Sequence, residues 1–229
     1  MGWALATKLR TFLKKPFYQK LNTVSSMYWR LKTVIFYKTV LGSMGGGCII
    51  YRPMFIGNPQ FIHLGESVHI RDGARLEAVV HNPVRIPRLS IGNSVNIEQN
   101  VHIVCQSRIR IGNNVSITGN CAIVDTTHPY QDVHDSMKIG DRILDEDSFV
   151  EIGDGSFIGF GSMIMPNVRV GTYCVIGAHS VVTKDVPDYS VVAGNPATLV
   201  RRYDPKSETW NKVARDRATS KVQSDLELP

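Results

Sequence analysis

IGDGSFIGFGSMIMPNVRVGTYCVIGAHSVV, residues 152–182, carries an aliphatic side chain at every sixth position: Ile152, Ile158, Ile164, Val170, Ile176 and Val182. Four residues after each of the first five comes a small or β-branched one: Ser156, Ser162, Val168, Cys174 and Ser180. A period of six matches neither the 3.6 of an amphipathic helix nor the 2 of a half-buried strand. A short fixed period marks a solenoid, in which each repeat buries its apolar positions against the next. Six residues suit one short strand and a corner, so three repeats make one triangular coil. The aliphatic position and the small position then both point inward. Glycine follows the aliphatic residue in IGNS, IGNN, IGDG, IGFG, VGTY and IGAH, where it relieves the steric limits on the backbone at a corner.

The same period runs upstream through Ile111, Ile117 and Ile123, through Ile91, Ile97 and Ile103, and through Leu64, Ile70 and Leu76. The pattern predicts an all-β solenoid, a parallel β-helix of hexapeptide repeats, over residues 48–203. Residues 1–47 read differently. Leu5, Leu9, Phe12 and Leu13, then Val24, Tyr28, Leu31 and Ile35, fall at helical spacing on either side of Pro16. GSMGGG (42–47) reads as a flexible junction. Past the repeats, Pro187 and Pro196 break the period. Residues 204–229 read as a polar tail forming a short helix, with Trp210 and Val213 as anchors.

With 43% hydrophobic and 20% charged residues, the 229-residue chain is globular in composition. It shows no run of about 18 apolar residues and no secretory signal pattern, so a cytoplasmic location is expected. Four cysteines match no disulfide or metal-ligand spacing. Cys121 and Cys174 fall at the small inward position, which fits packing thiols in a reducing compartment. The net charge of +6 is uneven: residues 1–40 hold eight Lys or Arg and no acidic residue. The segment therefore reads either as a peripheral membrane contact, at the inner face of the cytoplasmic membrane, or as a helical cap on the first coil. No nucleic-acid-binding module is present.

Two places break the rhythm: residues 125–149, which begin in IVDTTHPYQD (123–132), and the ending VVTKDVPDYSVVAGNPATLVRRY (181–203). The THP triplet after a hexapeptide series, with the VVTKD and GNPA endings, resembles the hexapeptide acetyltransferases of the maltose and galactoside O-acetyltransferase type. The closer resemblance is to the branch serving surface polysaccharides, and it covers about residues 50–203. It implies a left-handed β-helix, acetyl-CoA as donor, a sugar or glycan hydroxyl as acceptor, no metal, and a homotrimer with sites between subunits.

The chemistry needs one base, because a hydroxyl attacks a thioester only as its proton is removed, and a histidine titrates in the right range. His128 matches the family's catalytic histidine. Asp125, three residues earlier, and Glu98, on a neighbouring coil, compete as the group that orients its ring. The resemblance carries Phe160, Ala178, Thr183, Lys184 and Arg201 over as CoA contacts, the last two toward phosphate. Phe157 and Thr198 depart from the tryptophan and arginine that some relatives have. Asn100 and Gln106 match acceptor-facing positions, and His134 shares the loop of His128. The same base and donor would serve N-acetyl transfer to an amino sugar. A non-catalytic glycan-binding solenoid is the alternative from another class.

Overall fold

The computed structural model of the chain describes residue 7 and residues 10–213. Six coils stack into a triangular prism with three parallel faces. Sheet A holds β1 (Ser43–Met44), β4 (Ile62–Leu64), β7 (Arg88–Ile91), β10 (Arg108–Ile111), β13 (Phe149–Ile152) and β16 (Val168–Val170). Sheet B holds β2 (Ile49–Ile50), β5 (His69–Ile70), β8 (Asn96–Ile97), β11 (Ser116–Ile117), β14 (Phe157–Ile158) and β17 (Val175–Ile176). Sheet C holds β3 (Phe55–Gly57), β6 (Arg75–Ala78), β9 (His102–Cys105), β12 (Ala122–Val124), β15 (Met163–Ile164) and β18 (Val181–Val182). The fold is the expected left-handed parallel β-helix.

The period of six becomes burial directly. Ile152, Ile158, Ile164, Val170, Ile176 and Val182 are all buried, and so are the five small residues that follow them. The inward serines are not left unpaired. Ser156 Oγ donates to Gly171 O at 2.9 Å and Ser162 Oγ to Gly177 O at 2.8 Å, each bonding to the coil above. That satisfies a hydroxyl whose burial would otherwise cost about 1–3 kcal/mol.

The glycines after the aliphatic residues work differently from the expectation. Gly92, Gly112, Gly153 and Gly171 are not in the left-handed region; that conformation falls two residues later, at Ser94, Asn114, Gly155 and Tyr173. What excludes a side chain is the next coil: a Cβ on Gly92 would meet Gly112 O at 2.6 Å, and one on Gly153 would meet Gly171 O at 2.6 Å. Stacked glycines let the corners approach closely.

Both ends depart from the sequence expectations. GSMGGG is no loose junction: Ser43 and Met44 pair with His63 and Leu64, and Ser67 N donates to Gly46 O at 2.8 Å. The segment is the first corner of the first coil. At the other end β19 (Ser190–Ala193) caps sheet B in parallel, then β20 (Thr198–Asp204) and β21 (Thr209–Lys212) add antiparallel strands. The expected short tail helix is therefore a strand across residues 209–212, in which Trp210 packs on Tyr203 with ring centroids 5.5 Å apart. Residues 214–229, and Leu5 and Leu9, lie outside the described residues.

Before the prism, α1 (Phe17–Lys32) runs into a π-helical turn (Thr33–Tyr37) and a helical turn (Lys38–Val40). Thr33 and Tyr37 are the buried contacts, and Ile50 N donates to Thr33 Oγ1 at 2.9 Å. No helix among the described residues is long and apolar enough to cross a membrane.

Candidate active site

His128 lies at the corner between sheets C and A, just beyond β12, where the chain leaves the repeat. It returns at β13, and a 3-10 turn, Ile139–Asp141, is the loop's one regular element. The side chain is exposed, and Nδ1 lies 2.7 Å from Arg142 O. A carbonyl oxygen only accepts, so Nδ1 carries the proton and Nε2 presents its lone pair.

Neither carboxylate singled out in the sequence contacts the ring. Asp125 is completely buried, with Oδ2 accepting from Ser107 N at 2.9 Å and Arg108 N at 2.8 Å, and Oδ1 accepting from Gln106 N. Burial pushes its pKa up and the backbone donors oppose this, with burial prevailing. The reason is strand alternation: Asp125 follows inward Ile123 by two residues, so it points into the prism. Glu98 sits at the other end of its coil and faces Arg71 at 3.8 Å. Four residues beyond Ile123 the period would place Thr127 inward, but the chain leaves the repeat there and Thr127 is exposed.

Arg142 is the residue that sequence reasoning missed. Its guanidinium donates to Asp132 O at 2.8 Å, Asp135 O at 2.8 Å and Met137 O at 2.7 Å, and pairs with the Asp135 carboxylate at 3.2 Å. One residue thus ties the loop together with its side chain and holds the His128 ring with its main chain. Nothing in the repeat pattern signals such a role.

A second missed element braces the first. Residues 79–87 bulge from the same corner two coils earlier, where Asn82 Nδ2 donates to Asp145 at 2.9 Å and Arg85 pairs with Asp145 at 2.9 Å and Asp147 at 3.0 Å. Gln106, between the two loops, is buried and donates to Leu144 O. It is a loop brace and is not exposed to an acceptor, against the expectation. His134 is exposed in the loop, and Asn100 is exposed at the B–C corner in the left-handed conformation (φ 57).

The predicted donor contacts divide into groups. Phe160 and Ala178 occupy equivalent B–C corner positions on successive coils, where His179 N donates to Phe160 O at 2.8 Å. Thr183 and Lys184 follow β18 at the opposite end of sheet C, on the corner that also carries His128. Arg201 lies on β20, opposite Val191 and apart from that corner. All five are exposed, and among the described residues neither Lys184 nor Arg201 has a carboxylate within ion-pair distance. Free cations of this kind suit phosphate groups. Among the described residues no three His, Cys, Asp or Glu side chains gather as a metal site.

Comparison with known proteins agrees with this architecture. Residues 149–184 match the bacterial transferase hexapeptide (six repeats) family. The chain is 29% identical over 188 residues to a putative lipopolysaccharide biosynthesis O-acetyl transferase, WbbJ, of Escherichia coli K12, covering 80% of this chain and 89% of that protein. It is 35% identical over 123 residues to the galactoside O-acetyltransferase of the same organism, covering 53% and 58%. Among solved structures, a mutant of the N-acyltransferase AntD from Bacillus cereus, in complex with dTDP and coenzyme A, superposes with a TM-score of 0.60. That match is 18% identical, covers 85% of this chain and 92% of AntD, and concerns the fold.

Proposed function

We propose that this chain is a hexapeptide-repeat acetyltransferase, a reading supported by the hexapeptide family match and the acetyltransferase relatives, and that it moves an acetyl group from acetyl-CoA to a hydroxyl of a surface-polysaccharide sugar or its lipid-linked precursor. His128 is the general base. With Nδ1–H held by Arg142 O, Nε2 removes the acceptor's proton as its oxygen bonds to the thioester carbonyl carbon. The tetrahedral intermediate collapses with loss of the C–S bond, and the imidazolium returns the proton to the departing sulfur. Arg142 O stabilises the imidazolium meanwhile. Lys184 and Arg201 receive the CoA phosphates, and Asn100 and His134 are offered to the acceptor. Asp125 and Gln106, being buried, serve the scaffold.

A single prism gives His128 one wall of a cleft, so the working unit we propose is a homotrimer in which a neighbour supplies the other wall. Residues 1–40 are proposed to give it a peripheral contact with the cytoplasmic membrane. The observation that carries the catalytic reading is an exposed imidazole, at the repeat-breaking corner, whose tautomer is set by a fixed carbonyl. His128→Ala is expected to keep the oligomer and its acetyl-CoA binding while losing about 10²-fold or more in transfer. The assay is release of CoA with a panel of lipid-linked and nucleotide-linked sugars, the acetylated product being identified by mass. Unchanged turnover in the variant would refute the assignment.

A further inference from the structure

Phe17, Leu21, Val24, Tyr28 and Leu31 repeat at intervals of four and three residues along α1, and Ile35 continues the series beyond it. All six are between 49% and 76% exposed, and α1 has no buried residue. Soluble chains rarely keep a contiguous apolar face of this length in water.

The orientation of that face is informative. At about 100° per residue, Ser26 stands on the opposite side of α1 from Phe17. Ser26, with Tyr18, Asn22, Ser25, Tyr28 and Trp29, borders a cavity of about 720 Å³ whose other wall is Tyr51, Arg52, Arg71 and Asp72 of the prism. Further along, Thr33 and Tyr37 are buried against the first coil. The helix thus turns Asn22, Ser25, Ser26 and Thr33 to its own solenoid, with Trp29 and Tyr37 as its aromatic contacts there, and leaves the apolar stripe outward. A helix sealing the first coil would do the reverse.

Charge selects the occupant. Residues 1–40 hold eight basic side chains and no acidic one; Lys20 and Lys32 stand at the two edges of the stripe, each about 60° from Phe17, with the Lys32 ammonium turned over the Trp29 ring at 5.1 Å. A second copy of α1 laid against the stripe would bring like charges together where paired helices need opposite ones. An anionic bilayer accepts both the stripe and the charge, with lysine stems covering the rim.

We propose that α1 lies flat in the surface of an anionic lipid bilayer, the Phe17–Ile35 stripe immersed and the basic residues among the headgroups. This rests on the membrane contact put forward above and assigns the face, the lipid charge and the end of the prism that is held.

Flotation of the full chain with phosphatidylcholine vesicles, with and without phosphatidylglycerol, tests it. The protein is expected to float with the anionic vesicles alone and to be released by salt. Leu21→Glu/Leu31→Glu is expected to lower the bound fraction by about tenfold or more, with unchanged hydrodynamic size and unchanged acetyl-CoA binding. Failure of the wild-type protein to float, or equal flotation of the variant, would overturn the proposal. So would a fall in the variant's hydrodynamic size, which would assign the stripe to a second copy. Flotation needs no turnover, so failure of the acetyltransferase reading would show in the CoA-release assay and leave this result standing.

Discussion

At the scale of single residues, the site separates into what the repeat determines and what it does not. His128 stands out in the sequence because it sits where the period fails, and the structure places it exposed at that break. Asp125 was misassigned because its distance from His128 along the chain outweighed its distance from Ile123. The alternation that buries Ile123 continues for one more pair of residues and puts the carboxylate among the N–H groups of residues 106–108. Asp125→Asn would turn an amide N–H₂ toward those donors and is expected to cost about 1–3 kcal/mol. The expected readout is a lower melting temperature, with turnover per folded molecule retained at permissive temperature. Were Asp125 the group that orients His128, turnover would fall instead while the melting temperature held.

At the scale of elements, the corner between sheets C and A carries two excursions, and only the second was noticed in the sequence. The first was nevertheless written there: Leu76 to Ile91 is fifteen residues, not a multiple of six. The pairing of Arg85 with Asp145 and Asp147 could not be foreseen, because ion pairs between loops follow from which corner each loop leaves. Within the second loop, Arg142 is three-way bonded and its side chain is only 10% exposed. Arg142→Met would free three carbonyls and loosen the carbonyl that holds His128. Its kcat is expected to fall about tenfold or more, with the KM for acetyl-CoA little changed, since the Arg142 side chain bonds Asp132, Asp135 and Met137 and none of the proposed donor contacts. Partial recovery in Arg142→Lys, which can still donate, would support positioning; a KM change without a kcat change would count against it.

At the scale of the whole molecule, the stack answers to pH through its half-buried histidines. His63, His69 and His102 have pKa values lowered mainly by burial, reinforced by Arg88 at His63, by Arg30 and Arg71 at His69, and by Arg75 at His102. In the unfolded chain each takes a proton near pH 6.5. The folded chain resists, so the unfolded state binds more protons and stability falls with acidification through that pH and below it. Denaturant midpoints at pH 7.5 and 5.5 should show the decrease, and His102→Gln should show a smaller one. An equal decrease in that variant would exclude His102 as a contributor. The prism itself was readable from residues 152–182 because burial there depends on period alone. Its two ends were not, because the first corner is built from glycines without an aliphatic mark, and the closing hairpin runs antiparallel to the repeats. One register has a wider consequence. Ile111 meets Ile152 across the long excursion as Ile91 meets Ile111 without one, so the register of the sheets keeps no record of residues 126–148. The loop can be lengthened, exchanged or acquired with no shift in the stack, which makes scaffold and chemistry separately heritable and lets new acceptors be explored at little risk to folding.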